Sequence, residues 1–487
     1  MSKTERKVMA FILAFCALLL YPSAMLGQIV LSLDSCRAMA LRSNKQMSIA
    51  KTKLDIAANT RKSARTQYLP KVNAIGGYMF TSKEVSVLDD EKKTALNNLG
   101  TNTAAGLQNS LSALSALGIT LDLTPLAGIL NQTGAGLVNA LRTDTRNIFA
   151  GAVTVTQPLF MGGALVALNK MADINEDLAT NSMELQRQNT LYNIDQAYWQ
   201  VVSLYHKQKL AESYLSVVKK LDGDVQKMIE EGVATRSDGL NVKVKLNDAE
   251  MTLTKVNDGV VLSKMLVCQL IGLPVDSDIT LIDENDKDLI VNNDTPLIDM
   301  GMIATTRPEL RMLQNAIDLS KQQTNILKAG NLPTLALTGG YAVTNPNTLN
   351  GFQKKFAGLW NVGVMIRLPI WNWGEVKYKV RAAKGSTTMA RLEMEEVQEK
   401  IELQVNQSSF KVNEASKRLA MAQANIAHAE ENLRTANLGF AEGVITTTTV
   451  LEAQTAWLKA QSEKIDAEID LKLSHVELQK ALGTLEQ

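Results

Sequence analysis

The pentapeptide Glu231–Thr235 (EGVAT) recurs 211 residues later as Glu442–Thr446 (EGVIT). The same offset relates Pro158, Gly163 and Gly272 to Pro369, Gly374 and Gly483. Glycine and proline determine which backbone torsions a position can adopt, so their repetition at one offset indicates repeated local structure. The chain is therefore predicted to contain two copies of one supersecondary unit.

Earlier in each copy the offset is 263 residues, because Pro70 recurs as Pro333 and Gly76-Gly77-Tyr78 recurs as Gly339-Gly340-Tyr341. The two offsets differ by 52 residues, which places an insertion in the first copy. We assign the first repeat to residues 28–272, with the insertion at 82–146 as a surface helix or lid. The second repeat is assigned to residues 301–487. The acidic stretch 273–300 between them is interpreted as a surface connector.

Two segments of the second copy alternate between apolar and small or polar residues, which predicts strands near 334–343 and 358–370. Their length of about ten residues and their apolar face are typical of a membrane-spanning barrel strand. Matching strands are expected near 72–81 and 147–159. Trp360, Trp371 and Trp373 are expected at the membrane interface. An ordinary half-buried hairpin is the alternative for each strand pair.

The segment after Gly374 changes to a seven-residue period. Val412, Leu419, Ile426, Leu433 and Phe440 form one row, and Ala415, Ala422, Ala429 and Ala436 form a second. Such rows predict a coiled-coil seam. We expect long helices at 164–231, 236–271, 375–442 and 447–482. At ~1.5 Å per residue, the longest would extend roughly 100 Å if unbroken.

Residues 1–27 have the layout of a secretory signal peptide: basic residues, the apolar run Val8–Tyr21, then small residues up to Gly27. This apolar run is shorter than a typical transmembrane helix, so a transmembrane anchor is the weaker interpretation. Beyond the signal the only cysteines are Cys36 and Cys268. An exported chain of this size is therefore not held together by a disulfide framework.

The sequence gives little indication of catalysis, metal binding or nucleic-acid binding. The chain has 51 Lys and Arg against 50 Asp and Glu, which gives no support to a nucleic-acid partner. His206, His428 and His475 lie far apart without a metal-ligand spacing, and no nucleophile-elbow, zinc-protease or phosphate-loop motif is present. We predict no enzyme activity, no cofactor and no metal site.

Four strands from one chain cannot span a bilayer alone, because a barrel must close and the smallest have about eight strands. A chain with such strands must therefore oligomerise. With an export signal and helices of this length, the oligomer would be a tunnel from the outer membrane into the periplasm.

The chain resembles the TolC-like outer membrane efflux proteins. The resemblance rests on the duplicated Glu-Gly-Val-x-Thr turns, the Leu-Pro and Gly-Gly-Tyr strand starts, and the match between Gln157–Phe160 and Leu368–Trp371. It covers essentially the whole mature chain. It implies an α+β membrane protein with two structural repeats: a homotrimer whose 12-stranded outer-membrane β-barrel, four strands per chain, continues as a long α-helical coiled-coil barrel.

The resemblance also implies a function and partners. The protein would be the exit duct of a tripartite efflux or export system, in outer-membrane lipid, docked by its periplasmic tip onto an adaptor (membrane fusion) protein and an inner-membrane pump. One alternative is the outer-membrane component of type I protein secretion. Another is a periplasmic coiled-coil scaffold without a pore.

The resemblance further implies roles for single residues. Those expected at the adaptor-docking tips are Gly232, Val233, Thr235, Gly443, Val444 and Thr446. The alternative is that the glycines only permit a tight turn. Asp238, Thr449 and Glu452 are the candidates for the periplasmic entrance, where rings of carboxylates would repel one another and attract cations. At Ile445 and Thr449 some relatives carry a gate-linking arginine and an acid, so a lock of that kind is not expected.

Overall fold

The computed structural model describes residues 29–82, 90–110, 122–139, 147–286, 300–347 and 354–485. The expected signal peptide lies outside these ranges. The chain divides into two compact units. One comprises Thr60–Asp173 and Ser320–Ser386, and the other comprises Met1–Asn59, Ile174–Leu319 and Thr387–Gln487. Each unit takes segments from both halves of the sequence, so the units do not coincide with the two repeats.

The described ranges contain both helices and strands. The strands are β1 (Ile29–Leu31), β2 (Lys71–Phe80), β3 (Asn147–Met161), β4 (Ile279–Leu281), β5 (Thr334–Asn345) and β6 (Ala357–Arg367). The helices are α1 (Leu33–Ser43), α2 (Lys45–Arg65), α3 (Asp90–Asn97), α4 (Leu99–Ser110), α5 (Thr124–Asn139), α6 (Ala164–Glu230), α7 (Arg236–Ile271), α8 (Met300–Thr306), α9 (Pro308–Ala329), α10 (Glu375–Ala441) and α11 (Thr447–Leu482).

The unit that contains Thr60–Asp173 is built on a four-stranded antiparallel sheet in the order β2-β3-β5-β6. In this register Tyr341 lies opposite both Val153 and Trp360, so the three side chains share one face. The neighbouring residues Thr154, Gly340 and Asn361 share the other face. The sheet therefore has an apolar face and a mainly small or polar face. β6 ends at Arg367, three residues before the predicted end, because its partner strand β5 begins at Thr334, which pairs with Arg367.

The described part of the insertion contributes the helices α3, α4 and α5 to this unit, and these helices contact one another. The Gly100 N–H donates to the Asn131 side-chain oxygen at 3.1 Å. The Asn131 amide group in turn donates to the Thr101 hydroxyl at 3.3 Å. A side chain at Gly100 would overlap the backbone of α5, so this glycine allows the close approach of α4 and α5.

The other unit is dominated by long helices. α6 and α10 each have 67 residues, and α7 and α11 each have 36. In α10 the buried positions include Val412, Ala415, Ala422 and Ala436, which all belong to the rows of seven. Ala453, Ala460 and Ala467 are the corresponding buried positions of α11. The seven-residue pattern therefore marks the side chains that face neighbouring helices.

The short strands β1 and β4 pair in parallel. They pack in a buried apolar cluster that contains Cys36, Tyr198, Cys268 and Ile279, and both cysteines are free thiols. Glu284 follows β4 and is 1% exposed, although the connector was predicted to lie on the surface. Its carboxylate accepts from the Lys264 ammonium at 3.0 Å and from the Leu281 N–H at 3.1 Å. These partners make burial of the charge tolerable.

The helices α1 and α2 are separated by a break at Asn44, whose backbone is extended. The Asn44 amide group donates to the Leu270 carbonyl oxygen at 3.0 Å. This partner is 226 residues away in the sequence, so local periodicity carries no sign of the break.

Candidate functional site

The first tip, which we define as residues 228–239, joins α6 to α7 through a Schellman turn. The Gly232 N–H donates to the Ile229 carbonyl at 3.1 Å, and the Val233 N–H donates to the Met228 carbonyl at 2.8 Å. Gly232 adopts a φ of 78°, in the left-handed region that glycine enters without strain. The glycine therefore both ends α6 and redirects the chain.

The start of α7 is fixed by a capping box between Thr235 and Asp238. The Asp238 N–H donates to the Thr235 hydroxyl at 3.2 Å. In return, the Thr235 N–H and hydroxyl donate to the Asp238 carboxylate at 3.0 and 2.6 Å. These hydrogen bonds to the ionised form hold the pKa of Asp238 below its usual range. The carboxylate expected at the entrance is thus also part of the turn.

The second tip, residues 439–450, joins α10 to α11 with the same C-terminal geometry. The Gly443 N–H donates to the Phe440 carbonyl at 3.0 Å, and the Val444 N–H donates to the Gly439 carbonyl at 2.9 Å. Gly443 has a φ of 73°. At the start of α11 the Thr449 N–H donates to the Thr446 hydroxyl at 3.4 Å. The two hydroxyls of this pair lie 3.1 Å apart.

Both tips present apolar side chains to solvent. Val233 is 68% exposed and Val444 is 79% exposed, and they occupy the same position in the two turns. The residue after each valine behaves differently, since Ala234 and Ile445 pack against the cluster of buried side chains beneath the tips. A valine directed away from this cluster contributes nothing to the core of the chain and is available to a partner.

The structure brings the entrance candidates to the beginnings of two helices. Asp238 lies in the first turn of α7, and Thr449 lies in the first turn of α11. Glu452 follows in α11 and is exposed. The capping role of Asp238 was missed by our interpretation of the sequence, although the pattern Thr-x-x-Asp before a helix resembles a capping box.

Aromatic residues lie at both ends of the sheet. Trp360 lies near the start of β6, whereas Trp371 and Trp373 follow its end, with ring centroids 5.7 Å apart. All three are strongly exposed. Trp360 and Arg367 are seven residues apart, which corresponds to roughly 23 Å along a strand. That spacing is close to the height of about 25 Å typical of the apolar band between the two aromatic girdles of an outer-membrane barrel.

The sequence interpretation missed an aromatic cluster at the end of the sheet where β3 and β6 begin. The Tyr78 and Phe149 rings lie 4.8 Å apart, and those of Phe149 and Phe356 lie 6.1 Å apart. Tyr78 and Phe149 are directly paired in the β2–β3 register. Aromatic residues at the ends of strands were the available signal.

Within the described residues, no group of three or more His, Cys, Asp or Glu side chains is placed to hold a metal ion.

None of the helices in the part of the chain that the structure describes is long and apolar enough to cross a membrane.

Several solved structures share this fold, and CmeC and VceC among them are outer membrane proteins. CusC is 15% identical, aligns over 95% of this chain and 95% of its own, and has a TM-score of 0.71. The CmeC outer membrane channel of Campylobacter jejuni is 15% identical over 93% of this chain and 86% of its own, with a TM-score of 0.71. VceC of Vibrio cholerae is 15% identical over 93% and 96%, with a TM-score of 0.70. The mostly helical α+β fold is therefore that of outer membrane channels.

Sequence comparison identifies the family. The profile described as "Outer membrane efflux protein" matches residues 37–272 and 301–484. The outer membrane efflux protein BepC of Brucella suis is 22% identical over 345 residues, which is 70% of this chain and 74% of BepC. The chain belongs to the outer membrane efflux protein family, which confirms the resemblance inferred from the repeated motifs.

Proposed function

We propose that this chain is the outer-membrane exit duct of a tripartite efflux or export system, which passively conducts substrates delivered by a pump and an adaptor. The observation that carries the proposal is the sheet β2-β3-β5-β6. Each of its two outer strands has a partner on one side only within the described residues. Unpaired strand edges are not tolerated in a bilayer, so a membrane-spanning form of this sheet requires further strands.

Three copies satisfy this requirement. The four strands alternate in direction, so β6 of one copy is antiparallel to β2 of the next when the sheet continues around a ring. Four strands from each of three copies make a closed barrel of twelve, with the apolar face towards outer-membrane lipid and the polar face towards the lumen. The two groups of aromatic residues then mark its two interfaces.

The long helices and their tips supply the periplasmic part of the proposal. We assign residues 28–272 and 301–487 to two structural repeats, whose helices form the helical barrel in the trimer. The six residues Gly232, Val233, Thr235, Gly443, Val444 and Thr446 are proposed to contact a periplasmic adaptor, because the exposed valines form small apolar patches at solvent-facing turns. Asp238, Thr449 and Glu452 are proposed to line the entrance.

The test is conductance of the purified mature protein in a planar lipid bilayer, with oligomer mass measured by cross-linking. Discrete channel steps from a trimer are expected.

Val364→Lys and Met365→Lys form a matched pair, since these neighbours lie on opposite faces of β6. Val364→Lys is expected to block insertion, because lysine on the lipid face costs about 2–4 kcal/mol at the midplane. Met365→Lys is expected to insert and to alter conductance. Equal insertion of both variants, or a protein that never enters lipid, would overturn the proposal.

A further inference from the structure

The apolar face of the sheet contains a groove at Gly339. This residue lies on β5, opposite Val155 of β3 on one side and Val362 of β6 on the other. Because glycine has no side chain, the two valines form the walls of the groove and the backbone of β5 forms its floor. The groove has a volume of about 480 Å³. This volume lies within the range of about 300–1,000 Å³ that is typical of small-molecule sites.

Larger side chains close the two ends of the groove. Tyr341 and Trp360 lie at one end, and Leu337 lies at the other. A side chain at Gly358 would overlap the Tyr341 ring, so this ring leans over Gly358 and leaves the space above Gly339 open. Trp360 is 72% exposed, and no part of the described chain covers it. The groove is therefore open to whatever surrounds this face of the sheet.

The groove offers few groups for hydrogen bonding. The backbone groups of its floor pair with the neighbouring strands. Thr338 and Asn361 border it through their backbone, because their side chains lie on the opposite face. The Gln157 amide group at the Leu337 end donates to the carbonyl oxygens of Tyr68 and Pro158, at 2.7 and 3.1 Å. A hydrocarbon chain fits such a lining better than a polar ligand, which would lose its hydrogen bonds to water.

The length of the groove matches half of a membrane. Leu337 and Tyr341 are four residues apart, which corresponds to roughly 13 Å along a strand. The apolar band of an outer-membrane barrel is about 25 Å high, and its aromatic residues lie at the two interfaces. A groove that starts at Trp360 therefore ends near the middle of the bilayer. This is the depth that one acyl chain of a single leaflet occupies.

The first repeat has no equivalent groove within the described residues. Gly76 is the counterpart of Gly339, 263 residues earlier in the sequence. It lies on the same apolar face, but its partner on β3 is Gly151, which also lacks a side chain. No wall comparable to Val155 stands beside Gly76. The groove thus depends on the neighbours of Gly339 and not on the glycine alone.

We propose that the groove at Gly339 binds one acyl chain of an outer-leaflet lipid, with the headgroup end of the lipid at Trp360. This inference rests on the proposed function, which turns the apolar face towards lipid and directs the long helices into the periplasm. β6 leads into α10 at the end away from Trp360, so Trp360 lies at the outer surface in that arrangement. Strands added at β2 and β6 extend the sheet sideways and leave this face uncovered, so a neighbouring copy in the ring does not fill the groove.

The test counts the lipids that the trimer retains. The mature protein is reconstituted in nanodiscs of phosphatidylethanolamine and phosphatidylglycerol, transferred to a mild detergent, and weighed by native mass spectrometry. The wild type is expected to keep one lipid per chain. Gly339→Leu fills the groove and is expected to lower this retention about tenfold, because several methylene groups lose their buried contacts.

The two glycines provide a matched control. A Cβ at Gly339 would lie 3.4 Å from the Asn361 carbonyl oxygen and 3.6 Å from Val362 Cγ2, which are ordinary contact distances. A Cβ at Gly76 would have no neighbour within 4 Å. The sheet is therefore expected to accept both Gly339→Leu and Gly76→Leu. Since Gly76 lies outside the groove, Gly76→Leu should retain lipid as the wild type does.

Tryptophan fluorescence provides a second measurement without detergent. In vesicles that contain phosphatidylcholine with brominated acyl chains, the bromine atoms quench nearby tryptophans. The difference between the wild type and Trp360→Phe isolates the signal of Trp360. Its quenching is expected to fall in Gly339→Leu and to persist in Gly76→Leu. Equal quenching in the two glycine variants would contradict the proposal.

The outcomes separate this inference from the proposed function. A trimer that inserts into lipid but retains equal amounts of it with and without Gly339→Leu, or retains none, would overturn the lipid site alone. Pairs of trimers that form in the wild type and are lost in Gly339→Leu would identify a second copy as the occupant and also overturn it. A protein that never enters lipid would refute the proposed function and this inference with it.

Discussion

The Arg307 guanidinium donates to the Ala481 carbonyl oxygen at 2.7 Å, in the last turn of α11. The Asn44 amide group makes the corresponding bond to Leu270 in the last turn of α7. Arg307 follows Asn44 by 263 residues, and Ala481 follows Leu270 by 211, which are the two offsets of the sequence repeat. In both halves, a side chain at the start of a helix thus satisfies a carbonyl that the end of another helix leaves unpaired.

Arg307→Ala is expected to destabilise the protein more than Asn44→Ala. Arg307 is 5% exposed and also pairs with the Glu309 carboxylate at 2.9 Å, so its loss leaves a carboxylate and a carbonyl without their partner. We expect losses of about 2–3 kcal/mol for Arg307→Ala and about 1 kcal/mol for Asn44→Ala. Chemical unfolding followed by helix circular dichroism measures both. Equal losses would show that the charge of Arg307 adds nothing.

The buried pair of Arg37 and Asp195 leads to a second prediction. The guanidinium donates two bonds to the carboxylate, at 2.7 and 2.6 Å, and the Asp195 side chain is fully buried. Arg37→Ala leaves the buried carboxylate without its counter-charge, so we expect a loss of about 3–5 kcal/mol. The double variant Arg37→Met with Asp195→Leu removes both charges and should lose much less. The free energies of unfolding compare the two, and a double variant as unstable as the single one would contradict the argument.

The tip glycines provide a third prediction. Gly232→Val with Gly443→Val forces β-branched residues into left-handed backbone, at a cost of roughly 1–2 kcal/mol each, and reshapes both tips. Export is expected to stop while insertion into the outer membrane continues. Gly223→Ala is the control, because Gly223 lies within α6 and no neighbour lies where the new methyl group would be. Export at the wild-type level in the double valine variant would show that the tips are not the docking surface.

The positions of the helix ends were largely accessible from the sequence, because their determinants are local. The expected helix 236–271 runs from Arg236 to Ile271 in the structure, and the helix expected at 447–482 runs from Thr447 to Leu482. A left-handed glycine ends each of them, at Gly272 and Gly483, and a threonine caps each start. Both signals lie within a few residues of the boundary that they define.

Features that depend on distant partners were not accessible in this way. The break at Asn44 depends on a carbonyl of α7, and the burial of Glu284 depends on Lys264. Asp238 shows a different limit, because one residue type is compatible with two roles. The sequence predicted a carboxylate at the entrance, and the structure shows that this carboxylate accepts a capping hydrogen bond from the Thr235 N–H. The two roles are compatible, because the carboxylate has oxygen lone pairs beyond those used by Thr235.

A fourth prediction tests the entrance role of these carboxylates. Asp238→Ala with Glu452→Ala is expected to reduce the preference for cations, because repeated carboxylates near an opening raise the local cation concentration. Reversal potentials in a salt gradient across a planar bilayer measure the preference. Asp224→Ala is the control, because Asp224 lies in α6, outside the turn. An unchanged reversal potential in the double variant would leave Asp238 with its capping role alone and Glu452 as a solvated helix position.

The first tip should also respond to acid. The folded pKa of Asp238 is lowered by bonds from Thr235, so the ionised carboxylate stabilises the turn at neutral pH. For a carboxyl whose pKa is lower in the folded state, this stabilisation is complete above the usual Asp value of about 4 and is lost as pH falls through the lower folded value. We therefore expect the cap at α7 to persist down to about pH 4 and to weaken below it.

The second tip has threonine at this position and should show no such change at its cap. Hydrogen exchange at the Asp238 and Thr449 amides between neutral pH and pH 3, corrected for intrinsic rates, measures the difference. Loss of protection at Asp238 well above pH 4 would mean that its capping bonds do not favour the ionised carboxylate.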